Sequence, residues 1–160
     1  MLTEKDYCDY ETCVALKELG YKIPTSAYYM PKNSQLIFVI NQFRGGAAMD
    51  CFYSNNSLPK ECMASDFVDA PTMYEAQMWL REEKEVYVTV IPEYNEFGPI
   101  KGVKYRLEVA YWKDDEFGYE TIEWLDEECP HTIVTFDSYE EALSEGIKEA
   151  VKLLKEKETL

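Results

Sequence analysis

The chain has 160 residues, 31 of them Asp or Glu against 16 Lys or Arg, and a formal net charge of −15. Apolar residues make up 46% and aromatics 14%, which excludes disorder, since disorder needs high charge together with few aromatics. The excess of carboxylates excludes direct nucleic-acid binding and an anionic membrane surface, both of which require Lys and Arg, and no run reaches the roughly 18 apolar residues of a membrane span.

Residues 9–19 read as the first helix. Asp9 suits the N-cap, Cys13, Leu16 and Leu19 recur at three-residue steps, and Gly20 suits a left-handed C′ position. Tyr21 and Ile23 are expected to fold back onto that helix before Pro24. Residues 35–43 carry the β-branched and aromatic run Leu36-Ile37-Phe38-Val39-Ile40 of a strand. Arg44-Gly45-Gly46 then predicts a turn into a second strand over 47–53, and 54–59 have loop composition. Thr72 and Glu75 have capping-box spacing at the head of a helix over 73–84.

Three more strands are expected. In the first, Val86, Val88 and Val90 alternate with Tyr87, Thr89 and Ile91 up to Pro92. In the second, Val103, Tyr105, Leu107, Val109 and Tyr111 share one face, with Lys104, Arg106 and Glu108 on the other. A turn at 114–118 leads to the third, over 119–125. Residues 131–136 form a fourth strand or continue the third. Ser138 and Glu141 repeat the capping-box spacing before a final helix whose apolar stripe runs from Tyr139 through Ala142, Leu143, Gly146, Ile147, Ala150 and Val151 to Leu154.

The order α-β-β-α-β-β-β-α predicts an α+β fold, a mostly antiparallel sheet with helices packed on one face. The chain reads as a single domain over 1–160, with a subdivision near 60–70 into a helix plus hairpin (1–60) and an α-β-β-β-α portion (70–160). The start of the sequence has no basic region followed by an apolar stretch. The five cysteines form no C-x-x-C pair, so reduced thiols and a cytoplasmic location are expected.

The acidity is local. Residues 1–107 have a net charge of −4, residues 108–145 hold 13 acids and one base, and residues 146–160 have a net charge of +1. Glu108, Asp114, Asp115, Glu116, Glu120, Glu123, Asp126, Glu127 and Glu128 are therefore the candidate interaction residues. Asp114, Asp115, Glu116 and Glu120 do not meet the EF-hand pattern, so a solvated acidic loop is the better reading. Cys129-Pro130-His131 brings a thiol near the lone histidine, but the neighbouring Glu127 and Glu128 raise a thiol's pKa, and a loop-to-strand junction explains the residues. No phosphate-cradling loop, nucleophile elbow or H-E-x-x-H is present, so no catalytic residue, cofactor or metal is assigned. Among the aromatics, Trp79 reads as core. Tyr87, Tyr111, Trp112 and Tyr119 fit either packing or an exposed binding face.

Two blocks carry a resemblance: Ala70-Pro71-Thr72-Met73-Tyr74-Glu75-Ala76-Gln77-Met78-Trp79-Leu80-Arg81-Glu82, and Ser138-Tyr139-Glu140-Glu141-Ala142-Leu143 leading into Gly146-Ile147-Lys148-Glu149-Ala150. With Leu16-Lys17-Glu18-Leu19-Gly20-Tyr21 they resemble small uncharacterised proteins encoded by gut bacteria and their phages or mobile elements. The resemblance implies provenance and transfers no site residue. The order α-β-β-β-α also matches double-stranded RNA-binding domains, but the acidic strands and the Glu140-Glu141 helix start oppose that function.

The expected role is a small acidic accessory protein, non-enzymatic, acting through an unknown protein partner or as a homodimer. One alternative is a nucleic-acid mimic that inhibits a host nuclease or defence protein. It would be supported by Glu108, Asp114, Glu120, Glu123 and Glu128 in rows along one face. The other alternative is an enzyme using Cys129, His131 or the acidic loop.

Overall fold

The computed structural model describes residues 2–30, 34–38, 67–94, 102–113, 118–123 and 133–158. The expected strand over 47–53, the loop over 54–59 and most of the turn at 114–118 lie outside these residues. The fold is α+β with antiparallel sheets. The chain divides into two compact units, Asp9–Pro71 and Met1–Cys8 with Thr72–Leu160.

The first unit contains α1 (Tyr10–Glu18), β1 (Ala27–Met30), β2 (Gln35–Phe38) and β3 (Val68–Asp69). Asp9 caps α1, its carboxylate accepting the Thr12 amide at 2.8 Å. The helix ends as the glycine predicts. Gly20 takes φ +95°, its amide donates to the Lys17 carbonyl, and the Tyr21 amide reaches back to that of Leu16. Tyr21 is buried, but Ile23 is 41% exposed, so only the first of the two residues folds back. Once the two Schellman bonds are closed, nothing in the backbone carries the turn further. β1 lies between β2 and β3, antiparallel to both. The Tyr10 and Tyr29 rings meet edge to face at 5.6 Å, and Lys17 Nζ donates to the Phe67 carbonyl at 2.9 Å.

The second unit begins with a single 3₁₀ turn (Glu4–Asp6) and continues with α2 (Met73–Glu83), β4 (Val86–Tyr94), β5 (Val103–Lys113), β6 (Gly118–Glu123), β7 (Thr135–Phe136) and α3 (Tyr139–Glu158). The predicted capping box forms. The Glu75 amide donates to Thr72 Oγ1, and the Thr72 amide donates to the Glu75 carboxylate. A bridge between Tyr7 and Thr72 holds the chain start beside the head of α2. At the head of α3, the Glu141 amide donates to Ser138 Oγ.

β5 is the central strand. β4 flanks it on one side, with Val88 opposite Val109 and Val90 opposite Leu107. On the other side β6 pairs with residues 108–113 and β7 with Tyr105 and Arg106. β7 thus takes up the line of β6 after the intervening segment, the second of the two arrangements expected for residues 131–136. Side chains alternate across a strand. Val86, Val88, Leu107 and Val109 therefore share one face, and all four are buried. α2 and α3 cover this face with Ala76, Trp79 and Leu80, and with Ala142, Leu143, Ile147, Ala150 and Val151, all buried. Each large apolar side chain buried this way contributes roughly 1.5–3 kcal/mol. Trp79 is core, as its sequence position suggests.

β4 has one partner among the described strands. Gln77 of α2 donates its side-chain amide to the Val88 carbonyl at 2.8 Å. That carbonyl therefore faces away from β5, and the alternation of an antiparallel ladder turns Val90 and Pro92 the same way. Pro92 sits where the ladder needs no N–H, as a proline in a sheet must.

Candidate functional site

Of the expected acidic residues, Glu108, Glu120 and Glu123 lie on described strands. Residues opposite each other in an antiparallel pair project to the same face, and a step of three residues changes face. Glu108 pairs with Glu123, and Tyr111 pairs with Glu120. Positions 108 and 123 thus lie on the face away from the helices, and position 120 lies on the helix side. These three do not form a row. Nor is Glu108 a bare carboxylate: it forms an ion pair with Arg106, whose Nε also lies 3.1 Å from Glu93 Oε1. Glu120 accepts a hydrogen bond from the Tyr111 hydroxyl at 2.7 Å. Asp114, Asp115, Glu116, Asp126, Glu127 and Glu128, with Cys129 and His131, lie outside the described residues. Among the described residues, no group of three or more His, Cys, Asp or Glu side chains could hold a metal ion. No described helix is long and apolar enough to cross a membrane.

A shallow cleft of about 170 Å³ lies where α3 ends against the sheet, lined by Lys84, Glu85, Val86, Tyr111, Leu153 and Lys157 among others. Its two ammonium groups are engaged within the protein. Lys157 Nζ sits 4.1 Å above the Tyr111 ring and donates to the Trp112 carbonyl at 3.1 Å, and Lys84 Nζ lies 5.4 Å from the Trp79 ring.

The exposed aromatic surface is at the other end of the helices. Three tyrosines from three elements meet there. Tyr74 of α2 stacks on Tyr139 of α3, with centroids 6.2 Å apart and planes within 18° of parallel. Tyr139 meets Tyr105 of β5 edge to face at 6.1 Å and 90°. Both helix residues owe their place to caps: Tyr139 follows Ser138 directly, and Tyr74 lies two residues after Thr72. The surface extends one helical turn to Met78, 43% exposed, and along the sheet to the opposed pair Tyr94 and Val103, 70% and 39% exposed. Tyr74 itself is 55% exposed.

This surface is flanked by carboxylates. Desolvation, with the neighbouring Tyr139, Glu140 and Asp6, raises the pKa of the Tyr74 phenol above its ordinary value. Asp6 stays readily ionised because the Thr3 amide and hydroxyl donate to its carboxylate and lower its pKa.

The sequence reading missed this cluster. It singled out Tyr87, Tyr111, Trp112 and Tyr119 and placed Tyr139 in the core stripe. The pairing register puts positions 87, 112 and 119 on the face away from the helices and Tyr111 beside them. The available signal was a tyrosine within two residues of each capping Thr or Ser. Which third residue joined them depended on the sheet.

Comparison of the chain with protein-family models, with curated proteins and with solved structures finds no match.

Proposed function

We propose that the protein is a small non-enzymatic accessory protein that acts by contact with another protein, and that the contact is made at the surface formed by Tyr74, Tyr139 and Tyr105. The supporting observation is that a stacked tyrosine pair, joined to Met78, is held at the surface by two capped helices. Large aromatic side chains that are already ordered add contact area at little entropic cost, and tyrosine is enriched among the residues that dominate protein interfaces. Isolated exposed apolar residues are ordinary on any protein; a contiguous cluster spanning three elements is the feature that marks a binding surface.

The test is capture from cell lysate by immobilised protein, compared with a Tyr74→Ala/Met78→Ala variant. Both positions are exposed, so the variant keeps its fold, which circular dichroism checks. A protein retained by the wild type and at least tenfold depleted on the variant is the expected result. Equal retention on both would overturn the assignment of this surface.

A further inference from the structure

We infer that the segment of the partner received by this surface is cationic, with an arginine guanidinium laid on the exposed Tyr74 ring between the carboxylates of Asp6 and Glu140. The inference rests on the reading of this surface as a protein contact and specifies the chemistry of what it meets.

Three observations carry it. The first is placement. The Tyr7–Thr72 bridge brings Asp6 next to the head of α2, and Glu140 directly follows the residue on which Tyr74 stacks. Both carboxylates act on the Tyr74 phenol. The second is the sign of the local field. The N-termini of α2 and α3 each contribute about half a positive charge. Asp6, Glu75, Glu140 and Glu141 contribute four negative ones, against one amino-terminal positive charge that acts on Asp6, so the balance at the surface still favours a cation. A second copy of the chain would bring the same carboxylates and be repelled. The third is a precedent within the chain, where Lys157 Nζ lies 4.1 Å over the Tyr111 ring. Arginine suits the Tyr74 site better than lysine, because its planar group stacks on a ring while its N–H donors reach carboxylates at the ring's edge.

The test is titration of the full chain with fluorescent peptides of alternating arginine and glycine, with lysine and with serine peptides as comparisons, at physiological salt. Diffuse attraction to a chain of charge −15 is controlled by Glu156→Gln. This residue is exposed and lies 17 residues beyond Tyr139 on the same helix, about 25 Å at 1.5 Å per residue. The Tyr74→Leu variant keeps apolar area and removes the π face.

Tyr74→Leu is expected to weaken the arginine peptide about tenfold, in the range of cation–π contacts. Glu140→Gln is expected to weaken it a few-fold, as for an exposed ion pair. Glu156→Gln should leave it unchanged, and the lysine peptide should bind more weakly than the arginine peptide. If Tyr74→Leu and Glu140→Gln behave like Glu156→Gln, only diffuse attraction exists and the inference falls. If these peptides fail while lysate capture still depends on Tyr74 and Met78, the cationic inference falls and the surface assignment stands. If neither depends on Tyr74, both fall.

Discussion

Gly146 of α3 faces Leu107 of β5 so closely that a Cβ at position 146 would lie 2.5 Å from Leu107 Cδ1, and 2.5 Å from Val88 Cγ1 as well. Two effects compete in Gly146→Ala. Alanine in place of glycine favours a helix interior by about 0.8–1.0 kcal/mol. Overpacking a closed core costs about 1–3 kcal/mol. Leu107 is fully buried and Val88 is 5% exposed, so neither side chain can swing into solvent and the clash wins. Gly146→Ala is expected to lower stability in urea unfolding by about 1 kcal/mol, the difference of those terms. Adding Leu107→Ala should cost less in the Gly146→Ala background than in the wild type, because the two sites share one space. A stabilised Gly146→Ala protein would refute the close approach.

Glu85 joins α2 to β4 with φ +55°. A side chain in the left-handed region costs about 1–2 kcal/mol, and glycine escapes this cost while losing about 0.5–1 kcal/mol of chain entropy on folding. Glu85→Gly is therefore expected to raise stability by about 0.5 kcal/mol. Glu85→Val should lower it, since a β-branched residue tolerates positive φ least. Thermal melts of the two variants against the wild type give the order Gly, Glu, Val if the turn has this geometry.

Asp69 of β3 is half-buried, and desolvation raises its pKa despite the opposing attraction of Lys17. The folded chain therefore holds this proton at a pH where the unfolded chain has released it. Stability falls as pH rises from the ordinary carboxyl pKa of about 4 through the raised folded value. This is opposite to the behaviour of a carboxylate held by an ion pair. Asp69→Asn is expected to remove this component, so the variant's stability relative to wild type should improve over the same interval and then level off. A series of chemical denaturation curves from acid to neutral pH measures it. A variant that loses ground to the wild type as pH rises would show that the Lys17 attraction outweighs burial.

The helices and the long strands were legible because their signals are local. Asp9, Thr72 and Ser138 stand where a helix needs an acceptor, Gly20 where one must end, and the Val86–Val88 and Leu107–Val109 alternation fixes a buried face. β1 and β3 were not legible. Ala27-Tyr28-Tyr29-Met30 has no alternation, and a two-residue strand has no period at all; each is a strand because Tyr28 pairs with both Ile37 and Asp69. The site was less legible than the fold for the same reason. Counting charges along residues 108–145 located the acids, but only the register, with Glu108 opposite Glu123 and Tyr111 opposite Glu120, places positions 108 and 120 on different faces. Tyr74, Tyr105 and Tyr139 are more than 30 positions apart in sequence, and their meeting is a product of the completed unit.

The outer side of β4 has a consequence for how this protein keeps company with its own kind. A nine-residue strand is long enough to template another, and an exposed flat edge invites addition of a foreign strand or the growth of aggregates. A docking strand would read every second residue, here Val86, Val88, Val90, Pro92 and Tyr94. Gln77 already occupies the acceptor at Val88, and Pro92 has no proton to give. Between the two ends only Val90 keeps both its N–H and its C=O, while Val88 keeps its N–H and Pro92 its C=O. Only one complete rung therefore remains between the two ends, so a newcomer would be held by fewer bonds than an unbroken edge offers. One glutamine and one proline thus blunt this edge of the sheet against strand addition.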